Sequence, residues 1–434
     1  MEGGPKRILL LGATGLIGAA TAARLHAEGH EVIGVARRIG NATRRVPAAR
    51  WIRLDIRDAT RPEDWAPHLA GIDAVVNCAG VLQDGAGDST AKVHRDAPAA
   101  LWRACEKAGV KRVVQMSAAG VGEGTTAFMR TKQAGDALLE ASRLDWVILR
   151  PSVVVGRQAY GGSALFRALA IWPLRPRFPH AGGLDVVQLD DVAETVALML
   201  RPGAPRGATL ELAGPDRLTI RETLDLYRRW LGWRPAREIA LPGVLLALGW
   251  KLGDAASWLG WRPPMRTTAG RELARGAVGD SRRWIEATGI RPQSLAAALA
   301  AEPSSIQERW FARLYLLKPL AIGVFALFWL ATGLITLGPG RDEAIRLTEA
   351  TAAASIATPL VIGGALFDIL MGFLLLHRRT IRPALIVAFF GTLGYLLAGT
   401  LLMPALWADP LGRLTKIVPL LVLNLVCLAI LDDR

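Results

Sequence analysis

Seven residues near the start of the chain have the types and spacing to hold a phosphate group. Gly12-Ala13-Thr14-Gly15-Leu16-Ile17-Gly18 follows a short apolar run, residues 6–11, and opens a helical pattern. The first glycine permits a tight turn, the second lets the backbone approach a pyrophosphate, and the third lets helix and strand pack closely. The N–H groups at the helix start and the positive end of its dipole favour an anion there. In this context the glycines read as a dinucleotide-binding turn, with Gly12, Thr14, Gly15, Leu16, Ile17 and Gly18 as its contacts. The second strand ends in Val35-Ala36-Arg37-Arg38, with no acid before Asp55 to bind a ribose 2′-hydroxyl. Two arginines suit a 2′-phosphate, by bidentate pairing or by stacking on adenine, so NADP(H) is favoured over NAD(H). A solvated strand end is the other reading of that pair. Metal chemistry is not expected: His26, His30, His68 and His180 are scattered without ligand spacing. Three cysteines, Cys78, Cys105 and Cys427, form neither a metal set nor a complete disulfide framework. They fit a reducing compartment, and no nucleophile elbow is present.

The glycine turn needs a sheet to hold it. Strand-like runs at residues 6–11, 31–36, 51–55, 74–77, 112–117 and 146–150 alternate with helical stretches at 17–28, 98–108 and 131–142. That alternation implies an α/β fold, a Rossmann-type doubly wound parallel sheet. From residue 151 to 300 the pattern loosens into short strands (185–188 and 209–212), Pro- and Gly-rich turns and helices. This suits a small substrate subdomain within an NAD(P)-binding domain of residues 1–300. The start of the chain offers no signal peptide, because its apolar run is too short.

The 434 residues are 51% hydrophobic and 21% charged, and the excess is uneven. After a juxtamembrane linker at 301–318, residues 319–434 hold four apolar runs, at 319–337, 359–376, 383–403 and 414–431. Each has about the ~20 residues a helix needs to cross the hydrocarbon core, so an all-α four-helix transmembrane domain is expected. Arg309, Arg313 and Lys318 precede the first run, and Arg378, Arg379 and Arg382 lie between the second and third. The positive-inside rule places those regions in the cytoplasm. The expected protein is therefore a multi-pass protein of the cytoplasmic membrane, with the large domain and the C-terminal Asp432, Asp433 and Arg434 inside. The net charge of +14 suits a domain held against an anionic leaflet. The basic residues are scattered among acids without a reader motif, so no nucleic-acid partner is expected. Asp368 lies mid-run, where a carboxylate costs about 2.5–3.5 kcal/mol, and needs a partner such as Asn424 or Lys416. The tryptophan-rich apolar stretch 241–261 reads either as a membrane-interface segment or as a helix packed on the substrate-domain core.

Over residues 1–300 the chain resembles the atypical or extended short-chain dehydrogenases/reductases (SDRs). Besides the glycine turn, Leu54-Asp55-Ile56-Arg57-Asp58 resembles the family's adenine-side strand end. Asn77-Cys78-Ala79-Gly80 resembles the N-x-A-G strand end beside the cofactor. The stretch from Gly109 to Ser117 resembles the strand that delivers the active-site serine, and Leu149-Arg150-Pro151-Ser152-Val153-Val154-Val155-Gly156 the segment near the nicotinamide. Glu211-Leu212-Ala213-Gly214-Pro215 with Thr219 and Glu222 resembles the subfamily of the NADPH-binding accessory subunit of mitochondrial complex I. The tail is similar to a DoxX-like four-helix membrane domain. The resemblance implies cofactor contacts from Asp55, Ile56, Cys78, Ala79, Gly80, Lys132, Pro151 and Ser152 as well, and a catalytic role for Ser117.

The family's chemistry uses Y-x-x-x-K on one helix face, the tyrosine moving a proton and the lysine lowering its pKa and holding the ribose. Here the stretch is Phe128-Met129-Arg130-Thr131-Lys132, and phenylalanine has no proton to transfer. The family's frequent asparagine is replaced by His94. Three readings stand open: a cofactor bound without turnover, another proton donor, or an acceptor such as a quinone or flavin that needs no enzyme acid. Of the four tyrosines, Tyr160, just after the R-P-S-V-V-V-G segment, is the substitute donor on the substrate side. The expected function is that of a membrane-anchored NADP(H)-dependent oxidoreductase acting on a lipid- or quinone-like molecule. The rival is a non-catalytic NADPH-binding scaffold, sensor or assembly factor with a membrane-protein partner. An epimerase using tightly held NAD, as in the NAD-dependent epimerase/dehydratase family, is disfavoured by Arg37, Arg38 and Phe128.

Overall fold

The computed structural model describes residues 4–40, 42–48, 50–178 and 180–431, so Asp432, Asp433 and Arg434 lie outside the described residues. The described chain forms two compact units. One holds the residues up to Asp254 together with Pro263–Arg309, the other Ala255–Arg262 with the residues from Trp310 onward.

The first unit is built on a parallel sheet. Strands β1 (Arg7–Leu11), β2 (Glu31–Ala36), β3 (Arg50–Arg53), β4 (Ala74–Asn77), β5 (Arg112–Met116) and β6 (Asp145–Pro151) lie where the apolar runs predict them. Alternate residues of each strand serve opposite faces. Ile8 and Leu10 join Val76, Val114 and Val147 in one core, and Leu9 and Leu11 join Val75, Val113 and Ile148 in the other. Burial on both faces explains why β1, β2, β4 and β5 read as nearly unbroken apolar runs, while the edge strand β3 is not buried. Beyond β6 come β7 (Val153–Val155), β8 (Leu174–Pro176), β9 (Leu184–Gln188), β10 (Ala208–Leu212), β11 (Arg217–Leu218) and β12 (Arg237–Ile239). The sheet order is β10-β6-β5-β4-β1-β2-β3, every pair parallel. The strand expected at 209–212 thus belongs to the main sheet as its seventh member, not to the small subdomain. Strand order reverses between β1 and β4, and ligands bind in the crevice at such a switch point. The short strands β7, β9 and β11 form a second sheet, and β8 and β12 a third.

The second unit is helical. Among the described residues three helices are long and apolar enough to cross a membrane: Ile306–Leu337, which enters this unit at Trp310, Ala354–Leu376 (its first turn 3-10) and Ile381–Leu402. The first starts well before Pro319, because the charges at Glu308, Arg309 and Arg313 interrupt the apolar run without interrupting the helix. The fourth run differs from expectation. Asp409 Oδ1 accepts from Leu411 N at 2.8 Å and Gly412 turns with φ 65°, so the helix starts only at Ile417 and ends at Ala429. Its 13 residues span about 20 Å, short of a ~30 Å hydrocarbon core. Asp368 is buried, and its partner is Tyr395, whose hydroxyl donates to Asp368 Oδ1 at 2.8 Å.

Candidate functional site

The turn after β1 explains its glycines one by one. Gly12 has φ 70°, a conformation glycine alone adopts freely, and a Cβ there would lie 2.9 Å from the backbone of Cys78 and Ala79. A Cβ at Gly18 would lie 2.2 Å from Gly12 O. These two positions are glycine because strand, turn and helix touch. Gly15 is extended (φ −78°, ψ 173°), and a Cβ there would meet only Gly12 O, at 3.2 Å. It heads the helix Leu16–Ala27 with no side-chain cap and no acid in the first turn. The first N–H groups therefore remain as donors, which fits a pyrophosphate over Gly15.

Neighbouring strand ends complete this edge. Asn77 Nδ2 donates to Gln115 Oε1 at 2.9 Å, and Ala79 N donates to Asn77 Oδ1 at 3.1 Å, fixing the bend at Cys78. Burial pushes the Cys78 thiol up to about 12, so it stays a neutral lining group. Burial of the Asp55 carboxyl acts to raise its pKa, but hydrogen bonds from Arg57 outweigh it and hold the group below its ordinary value. Arg37 is engaged: its Nη1 donates to Gly87 O at 2.8 Å and pairs with Asp88 at 3.2 Å. Arg38 is exposed, as is Thr14, while Ile56 is half-buried.

At the ends of β5 and β6 a buried polar cluster forms. Ser117 Oγ donates to Asp136 Oδ2 at 2.7 Å. The same oxygen accepts from Arg150 Nη2 at 3.1 Å. Lys132 lies one turn before Asp136 on the helix Ala127–Glu140, and its Nζ donates to Met116 O at 2.8 Å. Burial lowers the Lys132 pKa to about 8, against the pull of Asp136. Burial raises that of Asp136, against the bonds from Ser117 and Arg150 and the charge of Lys132. Lys132 Nζ stands 5.8 Å from the Phe128 ring centre, and a Cβ at Gly80 would lie 3.9 Å from it.

His94 closes the group on the other side, from a π-helical turn, Lys92–Asp96. Its ring meets Phe128 edge-on, with centres 5.6 Å apart. Val81 N donates to its Nε2 at 3.0 Å, so the ring's one hydrogen is on Nδ1, 2.9 Å from Thr131 Oγ1. Burial lowers its pKa to about 2, in keeping with a neutral ring.

The fold therefore brings Ser117 and Lys132 together, near Gly80 and the glycine turn of β1. Pro151 and Ser152 continue the neighbouring strand. Pro151 O accepts from Ala119 N at 2.9 Å, and Ser152 Oγ donates to Asp185 O. Tyr160 is not part of the Ser117 cluster's hydrogen bonds. It heads the helix Gly161–Ala170, 39% exposed, its backbone N–H bonded to Ser163 Oγ at 3.1 Å. Sequence reasoning missed Asp136 and Arg150 as members. The 128/132/136 spacing on one helix face was a signal for Asp136.

Two family models match the chain: one described as NAD(P)H-binding over residues 12–200, and one of a DoxX-like family over residues 326–425. The match to an NAD(P)H-binding family thus falls on the Rossmann-type sheet, and the match to a DoxX-like family falls on the long apolar helices. An uncharacterized protein of Mycobacterium tuberculosis is 29% identical over 219 residues, 50% of this chain and 22% of that protein. An uncharacterized Mycobacterium bovis protein gives the same values. The chain spans 22% of the length of these curated relatives. Among solved structures, WbmG of Bordetella bronchiseptica in complex with NAD is 18% identical, covering 69% of this chain and 93% of its own, with a TM-score of 0.52. The UDP-glucose 4-epimerase of Thermotoga maritima with UDP-glucose is 17% identical, covering 72% and 99%, with a TM-score of 0.51. These likenesses are of fold.

Proposed function

We propose that this protein is a membrane-anchored NADP(H)-dependent oxidoreductase acting on a lipid- or quinone-like molecule at the cytoplasmic face of the membrane. A bound nicotinamide would supply or accept the hydride. The observation that carries the reading is Lys132, kept buried between Met116 O and the Phe128 ring at the ends of β4 and β5. In this reading the uncapped turn at Gly15 holds the pyrophosphate and Lys132 holds the ribose. Ser117 orients the acceptor, with Asp136 and Arg150 fixing its hydroxyl. Phe128 brings no proton, which suits an acceptor that needs none from the enzyme. The test uses detergent-purified full-length protein. NADPH is expected to co-purify, identified by mass spectrometry, and its reduced-nicotinamide absorbance to fall on adding short-chain quinones. An inert bound NADPH would count against turnover. No bound nucleotide, and none taken up on adding it back, would sink the cofactor assignment.

The rival reading, an NADPH-binding scaffold or sensor of a membrane complex, is favoured by one observation. The position of the missing hydroxyl is filled by a ring packed against His94. Phe128→Tyr separates the two. If the pocket admits a carbonyl acceptor, restoring a general acid should raise NADPH oxidation by about 10²–10⁴-fold. No NADPH oxidation by either the wild type or Phe128→Tyr with any acceptor tried, quinones included, would favour the scaffold.

Cofactor choice has its own test. Arg37 is paired with Asp88, which leaves the exposed Arg38 as the better partner for a 2′-phosphate. Arg38→Ala is expected to weaken NADPH binding about tenfold or more while leaving NADH binding unchanged, since a charge-assisted contact is worth about 1.5–3 kcal/mol. Equal losses for both nucleotides, by titration calorimetry, would refute the preference.

A further inference from the structure

The helix Gly243–Trp258 turns most of its large aliphatic residues away from the face on which it packs, unlike a helix seated on a soluble core. Gly253, Trp250 and Ser257 mark the packed face. A Cβ at Gly253 would lie 1.6 Å from Met265 O, Ser257 is buried, and the Trp250 ring lies 3.1 Å from where a Cβ of Gly270 would stand. The aliphatic residues form the other face. Val244, Leu245, Leu248 and Leu252 are 49–78% exposed, and the stripe continues through Ala255 to Leu259, with Trp258 at its edge. Spacings of four and seven put these residues on one face. The packed-core reading of this stretch does not account for that face.

We infer that this helix lies in the membrane interface, its leucine face seated in lipid. Two observations identify lipid as the occupant. First, the helix runs directly into a segment anchored at the end of a membrane-crossing helix. Trp261 Nε1 donates to Leu376 O at 2.7 Å, and Arg378 N donates to Leu259 O at 2.9 Å. The Arg378 guanidinium stacks on Trp261, 5.5 Å from the ring centre. The far end of the stripe is therefore fixed where the apolar helix Ala357–Leu376 ends, at headgroup depth. Second, the flanks have interfacial chemistry. Trp258 and Trp261 suit the aromatic belt, and Lys251, Arg262, Arg378 and Arg379 suit anionic headgroups. At 16 residues the helix is about 24 Å long, too short to span but suited to lying flat. The inner face holds Asp254, whose Oδ1 accepts from Gln83 Nε2 at 2.8 Å and from Thr267 N at 3.1 Å. Gln83 belongs to the loop that follows Gly80, so the lipid-seated helix is tied to the edge of the nucleotide site.

The inference rests on the membrane reading of the apolar helices and not on hydride transfer, and its test reads depth rather than activity. Full-length protein with Cys78, Cys105 and Cys427 replaced by serine is placed in phosphatidylcholine–phosphatidylglycerol nanodiscs. It carries one NBD-labelled cysteine through Leu248→Cys or, independently, Leu252→Cys. Arg206→Cys, at a side chain 79% exposed, is the aqueous control. The expected result at both helix sites is a blue-shifted emission quenched by doxyl-labelled phosphatidylcholine and protected from iodide. Emission and iodide quenching equal to the control would overturn the proposal. So would a blue shift without doxyl quenching, which would mean that protein covers the stripe.

Discussion

Gly15→Ala is expected to leave the protein folded and to weaken nucleotide binding, whereas Gly18→Ala is expected to damage the fold itself. At Gly15 the backbone is already extended, and the added methyl meets one carbonyl oxygen at 3.2 Å, a contact a shift of a few tenths of an ångström relieves. The methyl then stands on the open side of the turn, where the proposed pyrophosphate would approach. A tenfold or larger loss of NADPH affinity, about 1.4 kcal/mol or more, should follow with little change in Tm. At Gly18 the methyl would be 2.2 Å from Gly12 O, and backbone must move. Overpacking of this kind costs about 1–3 kcal/mol, and Tm and affinity should fall together. Calorimetric titration beside thermal unfolding reads both. Wild-type affinity in Gly15→Ala would overturn the placement of the phosphates.

The second large effect belongs to Asp136. Its carboxylate is buried between the Ser117 hydroxyl and the Arg150 guanidinium, with the Lys132 ammonium one turn away. Asp136→Ala leaves two positive groups without their counter-charge, and breaking a buried pair in this way costs about 3–5 kcal/mol. Asp136→Asn keeps the shape and an acceptor for Ser117 but not the charge, and should cost nearly as much. Adding Arg150→Met to Asp136→Ala should recover part of the loss, because the orphaned cation is then gone. Denaturant unfolding of the purified protein measures all three. A loss under about 1 kcal/mol in Asp136→Ala would mean that water, not protein, neutralises the cluster.

Legibility in the sequence followed the range of the interactions. The glycine turn was readable because turn geometry and helix start are encoded in adjacent residues. The inner strands β1, β2, β4 and β5 were readable because burial on both faces leaves a continuous apolar run, whereas β3, at the sheet edge, has no buried residue. The Ser117–Asp136–Arg150 cluster was not, since its members come from two strand ends and a helix that meet only through the sheet order. β10 was misplaced for the same reason: it pairs with β6 across the whole intervening subdomain. Hydropathy found the apolar runs of the tail but not their ends. Composition does not register that Asp409 and Gly412 turn the chain before the last helix, or that helix persists through the charges ahead of Pro319.

The bond between Asp254 and Gln83 has a thermodynamic consequence. Loop 81–89 also holds Asp88, the partner of Arg37, so ordering that loop and placing the helix Gly243–Trp258 are joined events. Linkage then requires reciprocity. If lipid seating of the helix and nucleotide binding both favour the bonded arrangement, the free energy by which lipid strengthens nucleotide binding must equal that by which nucleotide strengthens the lipid contact. On the proposed reading a bilayer would then be an effector of the nucleotide site, and binding constants would belong to a stated lipid environment.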